Sequence, residues 1–180
     1  MTGVSAETGA VLWETTDWKV NIANIPTPVD VGGGRLFLSG GYNAGSMMLR
    51  LEERSGKIVP VKEFKLPPTT FGTDQQTPIF YQGYLYGVKP GGQLTCLDLH
   101  GKAMWSSGST HRFGLGPYLL ADNKVFVLND TGKLTVVEAS SSGYKQLAEA
   151  RILTGHDSWG PLALAGGLLI ARDLTRMVCV

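Results

Sequence analysis

Short apolar runs alternate with tight polar turns along the whole chain, and the alternation repeats. Four segments share one pattern: VSAETGAVLW from Val4, LEERSGKIV from Leu51, LDLHGKAMW from Leu97 and VVEASSSGYKQL from Val136. Each ends a strand on apolar residues, turns at a small or acidic residue and a glycine, and resumes in a second apolar run. The turn glycines Gly9, Gly56, Gly101 and Gly143 lie 47, 45 and 42 residues apart. A second series interleaves with the first: TPVDVGGGRLFLSG from Thr27, TPIFYQGYLYGVK from Thr77, GPYLLADNKVFVLND from Gly116 and GPLALAGGLLIARD from Gly160. Its prolines Pro28, Pro78, Pro117 and Pro161 are 50, 39 and 44 apart. Two independent landmarks thus give one period, which is the first thing to seek in any sequence.

Within a period the pattern predicts four strands, here named A to D. In the cleanest copy they are Thr77–Tyr81, Tyr84–Val88, Gln93–Leu99 and Ala103–Ser106. The Gly- and Asn-containing turns between them are hairpin signals, and a proline is tolerated at a strand's first position. No stretch carries a 3.6-residue apolar period, so helices are not expected. Four antiparallel strands per period of about 40–50 residues is the pattern of β-propeller blades. The expected fold is all-β, a partial propeller of about four blades. Complete blades are expected over 24–67, 71–108 and 113–154. Residues 1–20 supply the end of a blade and 156–180 the start of a last one. Val4 and Val180 fall at the same repeat position, so the two ends either combine into a fourth blade of a small ring or bound an arc of a larger propeller. The arc is preferred, because propellers of more blades are commoner within the range of 4–8. An arc leaves two blade flanks uncovered, so missing blades or self-association are expected there.

Composition adds exclusions. The 180 residues carry 16 Lys and Arg against 15 Asp and Glu, a net charge of +1, which gives no reason to expect nucleic acid or an anionic membrane as partner. No apolar run is long enough to span a bilayer as a helix. The start MTGVSAETGAVLW lacks a basic region followed by an apolar core, so it does not read as a signal peptide. Two cysteines, Cys96 and Cys179, make no disulfide framework, and both are expected to be small buried residues. The 24 glycines are accounted for by the turns that every period needs.

VSAETGAVLWE and CLDLHGKAMWSS resemble the repeat of the pyrroloquinoline-quinone-type (PQQ-like) β-propellers, in which an apolar strand leads into a Thr-Gly-Lys turn and a strand closing in Trp. Trp13 and Trp105 hold the closing position here. The second copy has Val59-Pro60 after its turn and no Trp, and in the fourth Leu147 replaces it. The family includes quinoprotein alcohol dehydrogenases and the non-enzymatic propeller subunit of the bacterial outer-membrane-protein assembly machinery. The resemblance implies the fold and a periplasmic or secreted setting. It does not imply the cofactor, since a repeat motif builds the scaffold and fold alone does not carry function. Gly9, Trp13, Gly56, Gly101, Trp105 and Gly143 therefore read as structural: turn glycines with positive φ, and Trp rings buried against the neighbouring blade with the indole N–H on a turn carbonyl.

Functional chemistry is expected on the face shared by the D-to-A links and the B-to-C turns, because loops on a rigid scaffold carry function. The links 18–26, 65–76, 107–114 and 153–159 are the longer and more varied connections. They place Asp74, Gln75, Gln76, His111, Arg112, His156, Asp157 and Trp159 on that face, and the B-to-C turns add Lys89, Asn129, Asp130, Arg172, Asp173 and Arg176. His156-Asp157-Ser158-Trp159 could bind a polar ligand or move a proton. The plainer expectation is that Asp157 or Ser158 caps its own turn and Trp159 packs between blades. His111-Arg112 offers an anion site or a solvated rim. Asp130-Thr131-Gly132-Lys133 reads as a plain turn.

No zinc-ligand spacing, acidic Ca²⁺ loop, G-x-S-x-G elbow or P-loop is present. Quinoprotein dehydrogenases of the family characteristically carry adjacent cysteines, and Cys96 and Cys179 are 83 apart. The expected function is a non-catalytic binding or scaffolding module for protein or polysaccharide, forming the C-terminal part of a larger propeller and carrying no cofactor in this segment. The alternative is the C-terminal half of a quinoprotein oxidoreductase, with PQQ and Ca²⁺.

Overall fold

A computed structural model describes residues 1–180 as strands joined by turns and links, with no helix and so none long and apolar enough to cross a membrane. A hairpin of β1 (Thr2–Val4) and β2 (Val11–Glu14) comes first. Three four-stranded antiparallel sheets follow. The first holds β3 (Val29–Gly32), β4 (Arg35–Gly40), β5 (Gly45–Arg54) and β6 (Lys57–Leu66); the second holds β7 (Ile79–Tyr81), β8 (Tyr84–Lys89), β9 (Gln93–Asp98) and β10 (Ala103–Ser106). The third holds β11 (Tyr118–Ala121), β12 (Lys124–Leu128), β13 (Lys133–Glu138) and β14 (Gln146–Arg151). A three-stranded sheet of β15 (Ala163–Ala165), β16 (Leu168–Arg172) and β17 (Met177–Cys179) ends the chain. Every sheet pairs its strands in chain order, as propeller blades do, and the opening hairpin and closing sheet share no strand pairing.

The A-to-B turns follow from their residues. Gln82-Gly83, Asp122-Asn123 and Gly166-Gly167 all take positive φ at both positions (49° and 82°, 47° and 57°, 59° and 81°), the type I′ geometry whose twist matches a hairpin. The C-to-D pairs share a device absent from the sequence reading. A register shift falls between Gly3 and Val4, Met48 and Leu49, and Val136 and Val137, and at the matching place opposite β10. Such a bulge bends the outer strand and strengthens its twist.

The pairing also corrects two closing positions. Trp13 pairs with Gly3 and Trp105 with Cys96; at the same place Phe64 pairs with Met48 and Ala148 with Val136. The aromatic missing after Gly56 is thus Phe64, displaced by a longer hairpin, and the Trp counterpart in the third sheet is Ala148 rather than Leu147. Gly143 does not take a positive φ, unlike Gly9, Gly56 and Gly101, because a longer loop replaces the tight turn.

The core is divided among the seams between sheets. Each seam gathers side chains from two sheets and one apolar residue driven in from the connecting link. Phe37 and Met48 meet Leu85 and Leu97 around Phe71; Tyr86 and Cys96 meet Val125 and Val137 around Phe113. Leu128 and Leu134 meet Leu169 and Ala171 around Leu153, and Trp13 meets Leu38, Met47 and Leu49 around Trp18. In the second seam Trp105 donates its indole N–H to the Ser140 carbonyl of the next sheet at 2.7 Å. Cys96 is buried as expected, but Cys179 is exposed, since the face it occupies has no sheet beyond it.

Candidate functional site

The links and the B-to-C turns meet on one face through hydrogen bonds that repeat from sheet to sheet. In the second, third and last sheets the B-to-C connection holds the link that enters the same sheet. Lys89 Nζ donates to the Thr69 carbonyl at 3.1 Å. The Leu115 N–H donates to Asp130 Oδ1 at 2.8 Å, and the Gly155 N–H to Asp173 Oδ2 at 3.0 Å. Asp173 also accepts from the backbone of Thr175 and Arg176 at 2.8 and 2.7 Å. These bonds, led by Thr175, hold its carboxyl below the ordinary range although the residue is buried. Asn129 does the same in the third sheet, accepting from the Thr131 and Lys133 N–H groups. Asp173 and Asp130 are therefore spent on structure.

What remains open is a groove above the seam between the second and third sheets. Its inner end, toward the axis, is a narrow notch at Asp74, Gln76, Leu115 and Tyr118. Asp74 and Gly114 also bound a cavity of about 440 Å³ that continues outward past Lys89, Gly92 and Arg112. Arg112 and Asn129 then bound a further cavity of about 250 Å³ ending at His111, Lys133 and Glu149. A notch of about 520 Å³ beside Trp18 and Pro28 is larger, but Lys19 is the one ionisable side chain in its lining.

Side chains in the groove differ in how much of their bonding capacity is used. Arg112 donates Nε to the Ser109 carbonyl at 3.1 Å and Nη1 to the Gly91 carbonyl at 3.2 Å. Neither Arg112 nor Lys89 pairs with a carboxylate, whereas Lys133 pairs with Glu149 at 3.0 Å. Lys133 foremost, with Gln146, keeps Glu149 below the usual carboxylate range. Burial alone pushes the Asp74 carboxyl up, with no bonded partner to offset it. His111 packs against Tyr144 with the rings tilted at 42° and their centroids 5.0 Å apart, and its Nδ1 lies 3.1 Å from Thr110 Oγ1.

The structure thus brings Asp74, Gln75, Gln76, His111, Arg112 and Asp130 into one groove with Lys89 and Asn129, and leaves His156, Asp157, Trp159, Arg172, Asp173 and Arg176 outside its lining. His156 Nδ1 sits 2.8 Å from Asp157 Oδ2 in an exposed pair, with Asp157 at φ 56°. Trp159 does not pack between blades. It is 38% exposed and donates Nε1 to Asp130 Oδ1 at 3.0 Å, while its carbonyl accepts from Gln76 Nε2 at 3.3 Å. That bond ties the link of the second sheet to that of the last. The Ser158 hydroxyl is buried without a partner. Arg172 lies over Gly160, where a Cβ would come 2.5 Å from its Nε. The reading of Asp130 as part of a plain turn missed its two bonds. A signal was available in its place two residues after an apolar strand, opposite a glycine, Gly114, whose Cβ would collide with its carboxylate.

The donor set does not fit a Ca²⁺–quinone centre. No three His, Cys, Asp or Glu side chains converge, and the two cysteines sit in different sheets. Within the groove the one hydroxyl–imidazole contact is Thr110 Oγ1 with His111 Nδ1, and no third group orients the imidazole through its other nitrogen.

A sequence family described as outer membrane protein assembly factor BamB matches residues 1–112. No curated protein matches the chain. Solved structures similar to it include apo AztD from Citrobacter koseri, 15% identical over 82% of this chain and 41% of that one, with a TM-score of 0.54. BamB from Moraxella catarrhalis is 10% identical over 99% of this chain and 62% of that one, with a TM-score of 0.50. The computationally designed Ika4 protein is 9% identical over 93% and 98%, with a TM-score of 0.58. The chain therefore spans less than two thirds of the AztD and BamB chains, and the likeness is one of fold.

Proposed function

The chain belongs to the family of the outer membrane protein assembly factor BamB, and from that premise we propose that it is a non-catalytic propeller module that binds a partner in the groove above its second seam. The observation that carries this reading is the groove itself. It runs from Asp74 to Glu149 across three adjoining cavities and holds Asp74, Lys89 and Arg112, none of them in an ion pair. Fixed polar groups on a concave surface, with no oriented nucleophile–base–acid set among them, serve recognition.

The same reading places the chain in an extracytoplasmic setting as the C-terminal part of a larger propeller. The family match supports the setting, and the larger propeller is supported by the exposure of Val4 at 56% and Ile170 at 41%, at positions where other sheets bury their side chains against a neighbour. A photo-crosslinking side chain at Thr131, in the groove, is expected to capture a defined partner segment, and the same group at Asp122, on the opposite turn, to capture none. Dye-linked alcohol oxidation by the purified protein supplied with quinone and Ca²⁺ would overturn the non-catalytic reading.

A further inference from the structure

The charges of the groove narrow its ligand. Lys89 reaches in from the B-to-C turn of the second sheet and Arg112 from the link into the third, so the two cations face the 440 Å³ cavity from different connections. Both are anchored by backbone carbonyls alone: Thr69 for Lys89, Ser109 and Gly91 for Arg112. A carbonyl fixes the side chain without cancelling its charge, so part of the entropy of ordering a long side chain is already met before a ligand arrives. The carboxylate of Asp130 lines the same cavity and keeps its charge, but it accepts from the Leu115 N–H and the Trp159 indole and forms no ion pair with either cation.

The floor between the cations is main chain. Gly92 and Gly114 approach so closely that a Cβ on Gly92 would stand 2.9 Å from the Gly114 nitrogen. The aromatic ring nearest the floor, Phe113, is 3% exposed and belongs to the seam core. A sugar ring therefore finds no exposed aromatic face on the floor itself, the exposed Trp159 standing beside Asp130 outside the cavity's lining, whereas an extended peptide can lie across bare backbone. Such a chain advances about 3.3 Å per residue, so three residues cover roughly 10 Å of groove.

We propose that the groove binds an extended acidic peptide segment, with a carboxylate side chain between Lys89 and Arg112 and a backbone N–H directed to Asp74. The proposal rests on the groove being a binding surface, as argued above, and adds the chemistry of what it binds. Two charge-assisted contacts at partly exposed sites favour an acidic over an isosteric neutral peptide by about tenfold.

The test is fluorescence anisotropy of the whole chain with a fluorescein-labelled ten-residue peptide alternating Glu and Gly, beside its counterpart with Gln for Glu. The Glu peptide is expected to bind about tenfold tighter and to weaken as salt rises. Lys89→Gln and Arg112→Gln are each expected to weaken it about fivefold, and Lys124→Gln, on the opposite turn, to change it less than twofold. Equal loss with Lys124→Gln would mean that net charge, not the groove, attracts the peptide, and the proposal fails. Equal affinity for both peptides also overturns it, as does binding of neither. Amide NMR shifts along 89–92 and 112–115 with a neutral hexasaccharide separate the two ideas. Shifts there with no peptide binding keep the groove and discard the peptide, and silence from every ligand discards both.

Discussion

Tyr86 and Ile170 occupy the same place in two sheets, third in strand B and paired with Ile79 and Ala163 in strand A. Tyr86 is 1% exposed and Ile170 is 41% exposed. Phe37, at that place in the first sheet, is 0% exposed. The opposite side behaves alike: Leu49, Leu97 and Val137 are each 0% exposed, and Val4, at the matching place in the opening hairpin, is 56% exposed. The strand pattern is the same in each case, so burial here is a property of the seam and not of the strand. A single propeller sheet has two apolar faces and can cover neither by itself.

The comparison can be broken most forcefully inside a seam. Phe37→Ala should cost about 3–5 kcal/mol in equilibrium unfolding, as a buried ring lost from a packed core does. Ile170→Ala should cost below about 1 kcal/mol. Equal losses would mean that the end face is as tightly packed as the seam. The end faces invite a second measurement. The isolated chain should sediment as concentration-dependent oligomers through Leu168, Ile170 and Met177, which are 57%, 41% and 68% exposed. Leu168→Lys with Ile170→Lys should return it to a monomer and leave its unfolding midpoint within a few degrees. Sedimentation velocity decides, and a monodisperse parent chain would contradict the description of these faces.

Two smaller effects sharpen the picture. Trp105→Phe keeps most of the ring but leaves the Ser140 carbonyl without its donor, so it should cost about 1 kcal/mol more than Trp13→Phe, where no such bond exists. Thermal unfolding of the two variants side by side reads the difference. The carboxyls of the site face titrate with opposite signs. Asp173 is held down, so its contribution is present above the ordinary carboxylate pKa and is lost as pH falls through its depressed value. Asp74 is pushed up, so the folded state takes its proton more readily and gains stability as pH falls through that raised value. In acid titrations of stability, Asp173→Asn should flatten the acid loss and Asp74→Asn should remove a small acid gain. Parallel curves for both variants would refute the assignment.

The period, the four strands and the tight turns were readable from the sequence because positive φ at consecutive residues restricts the choice to Gly, Asn and a few others. Gln82-Gly83 and Gly166-Gly167 are such places. The closing residues were readable only where the hairpin kept its length. From Gly9 to Trp13 and from Gly101 to Trp105 is four residues, but Phe64 lies eight beyond Gly56, so counting from the turn missed it. The face was legible, since links and turns alternate with strands. Which of its residues were free was not. Asp and Asn serve equally as turn clamps and as ligand contacts, and only the hydrogen bonds of Asp173 and Asp130 separate them from Asp74. Cys179 shows the same limit, because its exposure depends on a neighbouring sheet and not on its own strand.

The clamps from turn to link have a further consequence. Leu115 and Asp130 are 15 residues apart, Gly155 and Asp173 are 18 apart, and the strands of every sheet pair in the order they are made. Each blade thus completes its own bonds within about one period of chain, and the entropic penalty of closing those loops does not grow as blades are added. During synthesis, a blade can finish and hold its incoming link while the next is still being translated. Only the seam waits for its neighbour, so at every stage the growing chain presents one unfinished apolar face, and it is the same kind of face at each step.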